Sequence, residues 1–201
     1  MLRSLTTGWV DVESSTAVKQ TDSPKGAFSG AFLIRHTNAL AAPGCVFAAT
    51  LVSSATVNAY IEKIVISLMF DANGGNAAKL MRYDLCRFST ATPTGGATGG
   101  FTPVLKQVGM TATAFTDVRG VDTGLTTTGV VFEAPFATIG VPISVVSGDQ
   151  ALDPYVLDFG TPLQASYSPL VIKPGEGFAI LLNVDSVIGT GIGGFWEWSE
   201  R

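Results

Sequence analysis

No segment of this chain sustains an apolar stripe at i, i+3, i+4 and i+7. Its apolar residues fall instead in short runs separated by turn signals. That pattern disfavours a helical bundle and points to many short strands packed as a sandwich or barrel. Strands are predicted at Gly8–Val12, Ala27–Arg35, Cys45–Ser53, Ile61–Phe70, Leu80–Ser89 and Val130–Phe136, and further on at Pro142–Val146, Tyr155–Phe159, Leu170–Ile172, Phe178–Val184 and Phe195–Ser199. Within the fourth of these, Ile64, Ile66 and Leu68 share a face at period two. Along Leu80–Phe88 the face bearing Met81, Tyr83, Leu85 and Arg87 is the more apolar. Arg82 and Asp84 are therefore expected toward water or a neighbouring subunit. The nearest approach to a helix, Gly109–Val118, is broken by β-branched residues. Ser89–Pro103 and Asp117–Gly129 read as long flexible loops.

The final segment, Pro169–Glu200, is two apolar strands and their loops. Pro174-Gly175 is a turn signal, because Pro presets φ at the first turn position and Gly accepts the positive φ of the second. Phe178–Val184 is a continuous apolar run of the kind a buried strand requires. A loop is expected over Asp185–Gly194, and Phe195–Ser199 closes the chain. Trp196 and Trp198 share one face, which predicts both in the core or a subunit contact, with sugar stacking as the alternative role.

With 201 residues the chain is long enough for one all-β domain with a full core. No linker or internal repeat divides it, so residues 1–26 read as an N-terminal arm and 27–201 as a single domain. Charged residues make up 14% of it, against about 25% in ordinary soluble domains. A surface so poor in charge is expected to be covered by copies of itself or by a partner. The net charge of −4 and the absence of a basic run argue against binding to nucleic acid. The uncharged stretch Thr37–Ile61 is interrupted by Pro43, Gly44, Asn38 and Asn58, so a membrane span is not expected there, and the first residues lack the apolar core of a secretory signal. Cys45 and Cys86 read as buried reduced thiols, with a single bridge as the alternative.

Several apparent motifs dissolve on inspection. Gly189–Gly194 matches G-x-G-x-x-G, but only seven residues follow it, with no room for the helix and distal acid of a dinucleotide site. It reads as a glycine-rich hairpin loop. Asp71–Asn76 spaces oxygen ligands like a calcium loop but lacks the distal Glu, and Asn73-Gly74 is a hairpin turn signal. His36 is the only histidine and is expected as a polar residue at a strand end. Glu176, Glu197 and Glu200 could suggest a glycosidase pair, but alternation sets Glu197 opposite both indoles. No catalytic residue, cofactor or metal site is therefore assigned, and an enzyme is not expected.

The ending PLVIKPGEGFAILLNVDSVIGTGIGGFWEWSE resembles the closing hairpin of small jelly-roll virion proteins of tailed bacteriophages. The stretches YIEKIVISLMF and LMRYDLCRFSTATPTGGATGG are similar to the same class, and together these cover roughly half of the chain. The resemblance implies an antiparallel β-sandwich of jelly-roll type behind an irregular N-terminal arm. It implies a structural virion component such as a capsid decoration protein, a head-fibre base or a tail accessory protein. The leading expectation is the decoration protein, made in the host cytoplasm and assembled as a homotrimer on the capsid surface against the major capsid protein. A receptor- or glycan-binding fibre head and a jelly-roll coat protein are the alternatives. The arm, with Trp9 as an anchor, is expected to reach a neighbouring subunit. The resemblance carries no catalytic residues over.

Overall fold

The computed structural model describes residues 28–35, 44–70, 79–96, 104–105, 112–143, 150–151, 153–159, 169–183 and 190–201. The N-terminal arm with Gly8–Val12 and Trp9, His36, the Asp71–Asn76 turn, Val146 and Gly189 all lie outside the described residues. The strands are β1 (Phe28–Arg35), β2 (Gly44–Leu51), β3 (Ala59–Phe70), β4 (Lys79–Ser89), β5 (Val104–Leu105), β6 (Phe115–Leu125) and β7 (Val131–Phe132). They continue with β8 (Ala137–Ile143), β9 (Gln150–Ala151), β10 (Tyr155–Asp158), β11 (Leu170–Ile172), β12 (Gly177–Leu182) and β13 (Thr190–Glu200). No helix occurs among the described residues, and every ladder is antiparallel.

The strands form two sheets, so the expected β-sandwich is the fold. The first runs β10-β3-β13-β1-β5, with β9 and β11 also paired along β3. The second runs β6-β2-β12-β4-β7, with β8 also paired to β4. The chain crosses from one sheet to the other at each step from β1 to β4, and again from β12 to β13.

The core between the sheets follows from alternation. In β1 the burial alternates strictly, with Phe28, Phe32 and Ile34 inside and Ala31, Leu33 and Arg35 outside. Facing them from the second sheet are Phe47, Leu51, Tyr83, Leu85, Phe178 and Ile180. The centre is aromatic. Trp196 and Trp198 stack at 5.5 Å, Phe28 stacks on Trp198 at 5.5 Å, and Phe47 and Phe178 meet Trp196 edge-on at 5.4 and 5.7 Å. A fully buried indole contributes several kcal/mol, with ~3–5 lost on truncation to alanine. Among the described residues the Trp196 indole N–H has no hydrogen-bond acceptor. Gly30 leaves room for that indole: a Cβ there would collide with the Trp196 ring.

Four local assignments from sequence change. Phe115–Leu125 is a long strand rather than part of a loop, and it has a physical disguise. Thr50 pairs with Asp117 and Leu51 with Phe115, so Thr116 is an extra residue in the ladder. That bulge turns both Phe115 and Val118 inward and breaks the period-two signal. Val130–Phe136 narrows to Val131–Phe132, and the strand expected at Pro142–Val146 begins earlier, at Ala137. Its Pro142 is tolerated because β8 is an edge strand. Finally, Thr190–Gly194 is strand, not loop, paired with β3 throughout and with β1 from Gly191. A Cβ on Gly194 would run into the Val65 carbonyl, so glycine lets the two backbones close up.

Candidate interaction surfaces

The carboxylates that sequence singled out do not converge. Glu200 is buried and accepts from the Ala114 N–H at 3.0 Å, from Trp198 Nε1 at 3.0 Å and from the Thr113 hydroxyl. It ties the end of β13 in the first sheet to the start of β6 in the second. Glu176 lies in the turn between β11 and β12 and accepts from the Lys173 N–H at 3.1 Å. Glu197 sits on the outer face of the first sheet, across from Lys63. The bulge opposite Trp198 leaves Glu62 as the extra residue of β3, buried and accepting from Ser199 Oγ at 2.9 Å. Trp196 and Trp198 are in the core and offer no platform to a sugar.

The outer face of the second sheet is covered by its own chain. Cys45, Ala48, Phe88, Leu125 and Ala179 form a second apolar cluster there, with Val121, Val130, Phe132 and Leu181 packed against it. The segments on either side close over it through a Thr94–Thr126 bridge, with both N–H···O bonds at 2.9 Å. Cys45 and Cys86 are free and lie on strands flanking β12, opposite Leu181 and Ala179. Two strand spacings are about 9–10 Å, too far for a bridge. Burial pushes the Cys45 thiol up to about 12 and that of Cys86 to about 11. The rest of this face carries polar groups that satisfy one another. Asp84, expected toward water or a subunit, is 4% exposed. It accepts from Arg82 Nε at 3.2 Å, from Thr138 Oγ1 at 2.7 Å and from the Asn183 amide. Neighbours on β4, β8 and the end of β12 thus supply the donors that water would have supplied, which single-strand alternation could not reveal.

The outer face of the first sheet is different. Register places its residues in rows across the strands. The first row reads Ser29, Glu197, Lys63, Asp158, with alternating charge. The second reads Ala31, Phe195, Val65, Val156, all apolar. The third is Leu33, Gly193, Ser67, and the fourth Arg35, Gly191, Met69. Leu33 and Val156 are 55% and 54% exposed and Phe195 is half-buried, whereas Val65 and Gly193 between them are buried, so the apolar rows meet solvent in part. An apolar band rimmed by charge is the usual mark of a contact surface.

Among the described residues no group of three or more His, Cys, Asp and Glu could hold a metal ion, and no helix is long and apolar enough to cross a membrane. Comparison with family models, curated proteins and solved structures gave no match. The class defined by the fold is the antiparallel β-sandwich.

Proposed function

We propose that this chain is a structural virion protein of a tailed bacteriophage, a capsid decoration protein that assembles as a homotrimer on the capsid surface. The supporting observation is strand order. The β1-β13-β3-β10 set faces the β2-β12-β4-β8 set, and the chain alternates between them. Such an order is the one expected of two interleaved Greek keys, and it supports reading the sandwich as a jelly roll, a fold used by viral capsid and lectin domains. Low charge and the bare apolar rows of the first sheet support a role made of contacts. Burial of those rows against copies of the chain and against the major capsid protein would supply about 25 cal/mol per Å² of apolar area.

The fibre-head reading draws less support, because Trp196 and Trp198 are spent on the core. The coat-protein reading shares the same fold. Solution mass by light scattering on a sizing column separates them. The expected result is a discrete trimer of 20.9 kDa chains that binds capsid shells lacking it. Particles of megadalton mass would favour a coat protein. A monomer that ignores shells would overturn the decoration reading.

A further inference from the structure

We infer that the outer face of the first sheet is a homotypic contact, on which a second copy docks about a two-fold axis running across the strands between Phe195 and Gly193. This rests on the self-association in the reading above, and it specifies a surface and a symmetry which that reading does not.

The rows carry the inference. A two-fold axis parallel to them, between the second and third, exchanges second with third and first with fourth. The two apolar rows then face each other. Phe195 falls over Gly193 of the partner subunit, and Leu33 over Ala31 of the partner subunit. Gly193 is itself buried, roofed by its own chain: a Cβ there would sit 3.2 Å from Leu33 Cδ1, 3.3 Å from the Phe32 carbonyl oxygen and 3.4 Å from Met69 Cε. An aromatic ring laid over it therefore rests on that isobutyl group and thioether, a favourable sulfur–aromatic setting. The same operation brings Arg35 over the row that holds Glu197 of the partner subunit. Arg35 falls directly over Ser29 of the partner subunit, one strand away from Glu197 of the partner subunit, so a cation lies beside a carboxylate at both ends while the apolar rows meet in the middle. Self-complementarity of one patch is what a two-fold interface demands. Aligned sheets pack about 10 Å apart, the depth that a large residue over a small one fills.

The second sheet offers no equivalent, since its own chain covers its apolar cluster. Four strands by seven residues span roughly 400 Å² a side. Stable complexes bury about 800 Å² per partner, so this contact is weak alone and gains effect where copies are held at high local concentration. A two-fold contact cannot close a trimer. It joins one oligomer to the next.

The test is sedimentation of the full chain from micromolar to near-millimolar concentration, for wild type, Phe195→Ser, Arg35→Glu and Val131→Ser. Val131 is exposed on the other sheet and serves as the control. The expected result is a base unit that doubles as concentration rises. Phe195→Ser and Arg35→Glu should raise the midpoint about ten-fold or more, and Val131→Ser should leave it in place. Arg35 is exposed, so its variant keeps the test valid should Phe195→Ser fail to fold. A base trimer whose doubling is absent, or is indifferent to both variants, overturns the contact and leaves the trimer standing. A wild-type chain that stays monomeric throughout overturns the contact, and it overturns the decoration reading as well if that monomer ignores shells.

Discussion

At the scale of single residues, the buried thiols are the most sensitive reporters of this fold. Cys45 is packed in the second apolar cluster, and burial pushes its thiol up to about 12 from an ordinary value near 9, with the neighbouring Cys86 thiol adding to the rise. The protonated thiol costs nothing to bury, so its contribution is complete below about pH 9. Above that, the unfolded chain releases the proton first and binds fewer protons than the native state. Stability then falls as pH climbs toward about 12. Cys86 titrates in the same sense, to about 11. Urea unfolding at a series of alkaline pH values should show this decline. Cys45→Ala should make it shallower, by up to about 1.4 kcal/mol per pH unit. An unchanged slope would mean that the thiol is reached by water.

At the scale of elements, β6 is an edge strand held on one side by β2 and at its start by Glu200. The carboxylate accepts three donors, and the Thr113 hydroxyl accepts in turn from the Phe115 N–H at 3.0 Å. Glu200→Ala leaves the Trp198 indole N–H and the Ala114 N–H without their acceptor, at a cost of about 2–4 kcal/mol. The expected outcome is a lower urea midpoint together with faster amide exchange at Ala114 and Phe115. Exchange at those amides equal to wild type would show that β2 alone holds the strand. Nothing in the alternation of Phe115–Leu125 announced this element, because the extra Thr116 and the residues Arg119 and Gly120 hide its inward side chains.

At the scale of the whole molecule, one core is shared by both sheets. Trp196 and Trp198 of β13 touch Phe47, Phe115 and Phe178 of the second sheet. Neither sheet keeps its buried face without the other, so the sandwich should unfold in one step. Tryptophan fluorescence and far-ultraviolet circular dichroism should give superimposable transitions in urea. Two separated transitions would mean that the sheets have independent cores. The same architecture decides which surface can dock. The second sheet buries its outer cluster under its own chain, and the first leaves Leu33 and Val156 of its apolar rows exposed.

Sequence alone determined the fold class, because alternation and turn residues are local quantities. Period two in Ile61–Phe70 and the turn at Pro174-Gly175 survive in the structure, and the strand expected at Ala27–Arg35 is present from Phe28. It also placed both closing indoles on one face, and that face is the core. Only the tertiary structure decided what depends on neighbours far along the chain. Asp84 is buried because Thr138 and Asn183 arrive from other segments. Thr190–Gly194 is strand because β1 and β3 close in on both sides of it, so closely at Gly194 that a side chain would meet a backbone carbonyl. The apolar rows exist only across four strands whose register no single strand encodes.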